Sequence, residues 1–391
     1  MKWLNLFTTL SLFLFYSLNH VTTEEYFIKA NSTNLCTPPC MTLTQFFTNF
    51  SHSFKPNVTL ILNPGRHYIN ISAIVSNLTQ FSMTSRHLTA QIACTSSYSQ
   101  IIISHSLNIH ITNLEFIGCG GNQLLNVNNF IVRETTFKGQ KNSGTALELI
   151  ESTAQIINCT FLSNRQGAVI ATHSSVNISQ SNFENNGAHN RSVPVYRGTV
   201  LFADQQSSIS INASTFISNR AQYGVVYSYR CSILMDTNNF TENNIGSDGV
   251  LLSSYSSTMT IEQSKLEDNI GTALSSDDSI INVQMCEFSN NTASYGEELA
   301  LYSSNVTIEQ SSFENNIGDT VFCFNSTVKI KTSNFSRVGM ISYSSYIAIE
   351  HSAFVDNIIN NTDPNTLNSV FTSQDSMSQY GAADSVTILE L

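Results

Sequence analysis

Basic side chains are scarce in this chain, and four residues that could grip an anion fall close together. Lysine and arginine total 17 against 28 aspartates and glutamates, for a net charge of -11 with only 12% charged residues. Against that background the stretch from Gly187 to Arg197 gathers His189, Arg191, Tyr196 and Arg197. A guanidinium fork takes two oxygens of a carboxylate or sulfate at once, and an aromatic ring beside it covers an apolar sugar face. These four are the candidate ligand-binding residues, and an anionic glycan is the ligand their chemistry suits. The alternative is an insertion that the surface merely tolerates.

Catalytic groups are harder to assemble. Glycoside hydrolysis needs two carboxyl groups ~5–9.5 Å apart across one site. The adjacent pair Asp277 and Asp278 is the best local match, and a solvated turn is its ordinary reading. Glu184, Glu242, Glu267, Glu287 and Glu314 lie near a recurring phenylalanine and would form an outward acidic ridge, able to hold Ca²⁺, if their phases coincide. The nine histidines show no metal spacing, and no Gly-x-Ser-x-Gly elbow or phosphate loop occurs. No catalytic residue, metal or cofactor is therefore assigned. Nucleic acid is excluded as a partner, because no basic stripe exists to displace counterions from phosphate.

The elements that must position these residues come from internal repetition. One phenylalanine recurs as Phe116, Phe137, Phe161, Phe183, Phe216, Phe240, Phe288, Phe313, Phe335 and Phe354, with Leu266 taking its place once. The intervals run from 19 to 26 residues, except for one of 33 between Phe183 and Phe216 that contains the arginine-bearing insertion. Three residues after the phenylalanine stands an asparagine, as at Asn164, Asn186, Asn219, Asn243, Asn269, Asn291 and Asn316. Ahead of it lie alternating stretches such as Val176-Asn177-Ile178-Ser179, and behind the asparagine a glycine opens an apolar run such as Gly224-Val225-Val226-Tyr227. Strict alternation means strands with one buried face. Three short strands and three turns use about 23 residues, one coil of a right-handed parallel β-helix in which like residues stack about 4.8 Å apart. The phenylalanines should point inward as one ladder. The asparagines should serve the following corner in the left-handed conformation, with amides bonding along the stack.

With one coil as the unit, the cysteines sort themselves. Cys94 and Cys119 lie about one coil apart and can bond. Cys159 and Cys286 share a phase but sit five coils apart, roughly 24 Å, too far for a disulfide, whose Cα separation stays below about 7 Å. Cys36 and Cys40, spaced CxxxC, are read as a structural disulfide, with a metal site as the alternative.

The Phe-x-x-Asn units beside Gly-Ala/Val-Val/Leu-Ile/Leu, clearest at Phe161–Asn164 with Gly167–Ile170 and at Phe216–Asn219 with Gly224–Tyr227, resemble the repeats of polymorphic outer-membrane-type proteins. More widely they resemble the pectin-lyase-like right-handed β-helix superfamily. The resemblance covers roughly residues 100–360. It implies a fold that hosts polysaccharide lyases and hydrolases as well as proteins with no assigned activity. Asp277-Asp278 is similar to the paired aspartates of polygalacturonases, but the Asn-x-Asp one coil earlier, the Gly-His-Gly and the Arg-x-Lys of that family have no counterpart.

The ends complete the expectation. Lys2 precedes an apolar run from Leu4 to Leu18, followed by short residues to Thr23, the order of a signal peptide over residues 1–23. Residues 24–57 form a cap with Cys36, Cys40 and an amphipathic helix carrying Leu43, Phe46, Phe47 and Phe50. Residues 58–391 form the β-helix, with an alternating Ser385–Leu391 strand and no cap after it. No later run reaches the ~20 apolar residues of a membrane span. Asn-x-Ser/Thr triplets, among them those at Asn57, Asn158, Asn177, Asn212, Asn290, Asn305, Asn325 and Asn334, are acceptors for N-glycans in a secretory pathway. The sequence therefore describes a secreted or cell-surface β-helix that binds a glycan or an extracellular protein, with a divergent polysaccharide lyase or glycoside hydrolase as the alternative.

Overall fold

The computed structural model describes residues 24–30, 41–50, 56–85, 89–96, 99–119, 121–139, 144–187, 199–221, 224–246, 249–336 and 339–360, and strands Val370–Gln374, Met377–Tyr380 and Ile388–Glu390. For residues 50, 294–297, 319–320, 339 and from 354 onward the description is of backbone alone. The segment 1–23, Cys36, Cys40 and the insertion 188–198 lie outside the described residues.

Each coil of about 24 residues contributes three strands, all paired in parallel with the coils before and after. One coil illustrates the plan: Leu147–Ile150, Thr153–Ile157 and Thr160–Leu162. The five-residue strands stack into a middle ladder of sixteen, from Glu24–Ile28 to Ile388–Glu390. The others form a long-strand ladder and a short-strand ladder, joined into one sheet where the chain runs through without a break. This is the right-handed parallel β-helix that the periodicity predicts.

The phenylalanines occupy one position of the short-strand ladder, in register from Phe116 through Leu266 to Phe354. Phe183, Phe216, Phe240, Phe288 and Phe313 are all fully buried, as expected. Their rings stack nearly parallel, with centroids 4.6 Å apart for Phe183–Phe216 and for Phe216–Phe240. Leu266 interrupts the stack, which resumes at Phe288–Phe313 with 4.4 Å.

The asparagine ladder is present, but its conformational role differs from the expectation. The left-handed residue is the one before each asparagine: Ser163, Asn185, Ser218, Glu242, Asp268, Asn290 and Asn315 have φ between 53° and 57°. A left-handed residue breaks strand alternation, so the outward residue after the phenylalanine is followed by a second outward one, and the asparagine then turns inward. There its amide holds three coils together. The Nδ2 of Asn219 donates to the Phe183 carbonyl at 2.9 Å and to Asn243 Oδ1 at 2.9 Å, while its backbone N–H donates to the same Oδ1 at 3.0 Å.

The other two corners use the same device with smaller residues, which the repeat pattern did not reveal. Glu151 and Asn158 are left-handed, and Ser152 and Cys159 follow them inward. Along the first corner Ser152 N–H donates to Ser174 Oγ and Ser174 N–H to Ser207 Oγ, both at 3.1 Å. Along the second, Cys159 N–H donates to Ser181 Oγ at 3.2 Å and Ser181 N–H to Ser214 Oγ at 3.1 Å. Much of the chain's serine is thus buried and structural.

Cys159 and Cys286 hold serine places in that second ladder and Cys231 one in the first, each Sγ reaching the carbonyl two residues back as the serines do. All three are free, as is Cys323, and burial pushes the Cys159 and Cys286 thiols up to about 11 and Cys323 to about 12. Thiolate is the reactive form. Iodoacetamide at pH 8 is therefore expected to leave Cys159, Cys286 and Cys323 unmodified in the native protein and to label all three in urea, read by peptide mass mapping.

Cys94 and Cys119 are disulfide-bonded, with Cα atoms 4.8 Å apart. The helix Leu43–Phe50 is capped by Thr42 and Gln45, which exchange side-chain to backbone hydrogen bonds. Its Leu43, Phe46 and Phe47 join the core cluster that includes Ile28, Leu60 and Phe81.

Glu298 is a carboxyl inside the solenoid. Only Asn291 Nδ2 reaches it, at 3.3 Å, and its Oε2 has no partner among the described residues. Desolvation raises its pKa to about 8, against the lowering effect of the Asn291 bond. A raised folded pKa means full stability below the unfolded value, near 4.5, and progressive loss as pH rises through about 8. Glu298→Gln should therefore raise the melting temperature at pH 8 and give no difference at pH 4; equal melting at both would remove the buried acid.

Candidate functional site

Strand alternation sends every second residue of the long-strand ladder outward, and the structure places a series of aromatic rings there. In one row Ile170, Phe202, Tyr227 and Ser253 are in register on successive coils, with Ile170 and Phe202 buried and Tyr227 half-buried; in the other stand Thr172, Asp204, Tyr229 and Tyr255. Phe202 and Tyr227 stack with centroids 5.5 Å apart, and Tyr229 and Tyr255 with 5.2 Å. Arg230, at the corner that ends the strand, lies 5.0 Å from the Tyr229 ring centre. Burial raises the Tyr227 phenol pKa, with smaller contributions from Tyr229, Tyr255 and Asp204, so this hydroxyl stays a neutral donor. Farther along, Tyr302, Phe322, Phe324 and Tyr343 continue the outward rows.

The two ends of the insertion flank this surface. Residues 188–198 themselves, with His189, Arg191, Tyr196 and Arg197, lie outside the described residues, but both ends are placed. Gly187 follows the ladder residue Asn186, and the chain re-enters at Thr199, which opens the strand Thr199–Asp204 bearing Phe202. Gly187 has a φ of 90°, and a Cβ there would come within 2.8 Å of the Arg220 carbonyl, so the insertion leaves against the next coil. Arg165 and Arg220 each follow a ladder asparagine directly, one coil before and one coil after the insertion, and both are exposed. Arg165, Arg220 and Arg230 thus belong to a few consecutive coils around Phe202 and Tyr227, and Arg191 and Arg197 fall between them in sequence. Arg165, Arg220 and Arg230 form no ion pair with any described residue. The sequence pointed to the insertion alone. Arg165 and Arg220 share its corner, a signal visible only once each is indexed to its ladder asparagine.

The acidic ridge does not form. Glu184, Glu267 and Glu314 share the place after the ladder residue, Glu242 is a left-handed corner, and Glu287 precedes Phe288. Lys265 bridges Glu267 at 3.0 Å and Glu287 at 3.4 Å. Asp277 ends a long strand and Asp278 is a left-handed corner with a φ of 50°; both are exposed, and Ser256 Oγ donates to Asp278 at 3.3 Å. Among the described residues no group of three or more histidine, cysteine, aspartate or glutamate side chains could hold a metal ion.

Two open grooves lie on the other sides. One, of 290 Å³, crosses the middle ladder between Asn129, Gln155, Asn177, Ser208 and Ser210. The second, of 500 Å³, lies where the middle and short-strand ladders meet, beside Gln310, Ser312, Thr332 and Asn334.

Comparison with known proteins agrees with this architecture. The catalytic domain of a GH87 α-1,3-glucanase, solved with tetrasaccharides, superposes with a TM-score of 0.54 at 10% identity, over 90% of this chain and 69% of that one. The surface adhesin PfbA of Streptococcus pneumoniae gives a TM-score of 0.44 at 12% identity, over 85% of this chain and 86% of that one. At such identity the likeness is one of fold. No curated protein matches in sequence. No described helix is long and apolar enough to cross a membrane. Residues 198–362 match the family model described as the right handed beta helix region, and the chain has a right-handed parallel β-helix fold.

Proposed function

We propose that this chain is a secreted or cell-surface binding module that recognises an acidic glycan on the long-strand side, without cleaving it. The observation that carries the reading is that Arg165 and Arg220 stand on the coils before and after the ends of the insertion, beside outward Tyr227 and Tyr229. Coils about 4.8 Å apart put Arg165 and Arg220 roughly 10 Å from each other along the axis, a spacing that serves successive anionic groups of an extended chain. His189, Arg191, Tyr196 and Arg197 of the insertion complete this surface. Guanidinium groups left without carboxylate partners keep their donors for sulfate or carboxylate oxygens. The aromatic rings and the hydroxyls of Tyr227, Tyr229 and Tyr255 supply apolar area and neutral hydrogen bonds.

The test is titration of a sulfated hexasaccharide into the full chain. Arg191→Ala with Arg197→Ala should weaken binding about tenfold, or about 1.4 kcal/mol, with melting nearly unchanged, because a loop outside the ladders pairs little with the core. Raising salt should mimic the loss. Undiminished binding by the double variant overturns the reading; loss of folding would make the loop structural instead.

A further inference from the structure

The Asn-x-Ser/Thr triplets are not spread evenly around the solenoid. We infer that the chain carries N-linked glycans on its middle and short-strand sides, that these occupy the two open grooves, and that the strands Thr199–Asp204, Gly224–Tyr229 and Val250–Tyr255 of the long-strand side stay bare. This rests on the secretory reading above. Asn177, in the triplet Asn177-Ile178-Ser179, is exposed at the centre of the middle strand Ser175–Ser179 and lines the 290 Å³ groove. Its amide makes no hydrogen bond with a described residue, so nothing competes for the attachment nitrogen. Asn334, in Asn334-Phe335-Ser336, is exposed and lines the 500 Å³ groove; its Nδ2 donates to Glu314 Oε1 at 3.4 Å, a surface bond that a glycan would replace. Asn212 ends the next strand of the middle ladder and Asn305 opens another, both exposed. Asn158 and Asn290 project from left-handed corners.

Among the described strands of the long-strand ladder only the last, Ala353–Asn360, whose Asn360 pairs with Ile341, holds a triplet asparagine; Asn77 and Asn325 stand at the border, on the corners after Ser76 and Phe324. The strands Thr199–Asp204, Gly224–Tyr229 and Val250–Tyr255, which bear the outward tyrosines, hold no triplet asparagine, although Asn190-Arg191-Ser192 in the insertion is itself a triplet. Burial separates acceptors from chance triplets. Asn57, in Asn57-Val58-Thr59, is only 4% exposed in the strand Asn57–Leu62, and a glycan on it would have to displace neighbouring coils. The two grooves, which a search for concave sites would favour as ligand sites, belong on this account to the protein's own sugars.

The experiment is expression of the full chain in a eukaryotic secretory host, enzymatic deglycosylation in ¹⁸O water and peptide mapping. The expected result is label at Asn177 and Asn334 together with Asn158, Asn212, Asn290 and Asn305, and none at Asn57. Occupied sites elsewhere with Asn177 and Asn334 unlabelled, or label at Asn57, overturn the proposal while leaving secretion intact; an entirely unlabelled chain overturns the proposal and the secretory reading together. Asn177→Gln should in addition leave affinity for the sulfated hexasaccharide unchanged within about twofold. A tenfold loss would return the middle groove to the ligand and overturn the assignment.

Discussion

Replacing Phe216 with alanine should destabilise the protein by about 3–5 kcal/mol, the range for removing a large aromatic side chain from a packed core. The ring is fully buried and lies between those of Phe183 and Phe240, each 4.6 Å away and within 5° of parallel. Two stacked contacts go with it, each worth about 0.5–1.5 kcal/mol beyond its area. The cavity has little freedom to collapse, since parallel pairing holds the coils before and after at fixed separation. Phe216→Leu should cost far less, because the solenoid already accepts Leu266 between Phe240 and Phe288. Urea unfolding would give the size of the loss. Because each coil contacts only its neighbours, amide exchange should accelerate most in coils 183–243. A uniform acceleration along the chain would contradict nearest-neighbour coupling.

Asn243→Leu should be comparably damaging, although it increases the apolar content of the interior. Asn243 Oδ1 accepts from the backbone N–H of Asn219 at 3.0 Å and from Asn219 Nδ2 at 2.9 Å. Its own Nδ2 donates to the Phe216 carbonyl and to Asn269 Oδ1, each at 2.9 Å. Leucine leaves these buried groups without their partner, at about 1–3 kcal/mol for each that finds no other, so a total of several kcal/mol is expected. Asn243→Asp would keep the acceptor, lose the donor and bury a charge, and should destabilise most at neutral pH. Paired with Asn219→Leu, the loss should be well below additive, since both act on one network. Strict additivity in a double-mutant cycle would mean that the amides do not cooperate.

These two residues were legible in the sequence because the ladders use one residue type at one phase. Phenylalanine and asparagine recur so regularly that the fold, the inward direction of the rings and the coil length follow from spacing. The serine ladders were not legible, for serine is abundant and its places are shared with Cys159, Asn238, Cys231 and Cys286. The corner conformation was misassigned by one residue: the asparagine is the one with a left-handed preference, yet tertiary bonding claims it and leaves Ser218 or Glu242 to take the positive φ. The binding surface was half legible. Arg191 and Arg197 announce themselves by breaking the period, whereas Tyr227 and Tyr229 stand in an apolar strand and look like core until register shows that Val226 and Ser228 take the inward places.

The claim that most needs testing is that the aromatic and arginine-bearing side binds an acidic glycan and leaves it whole. Calorimetric titration of a sulfated hexasaccharide into the full chain and into its Tyr229→Ser, Tyr255→Ser variant tests it directly, with the sugar recovered afterwards for mass analysis. Saturable binding by the parent, at least about tenfold weaker binding by the variant, equivalent to 1.4 kcal/mol, and hexasaccharide recovered intact are the results expected. Equal affinity of the two proteins would place the site elsewhere, and recovery of shortened or unsaturated fragments would make the protein an enzyme.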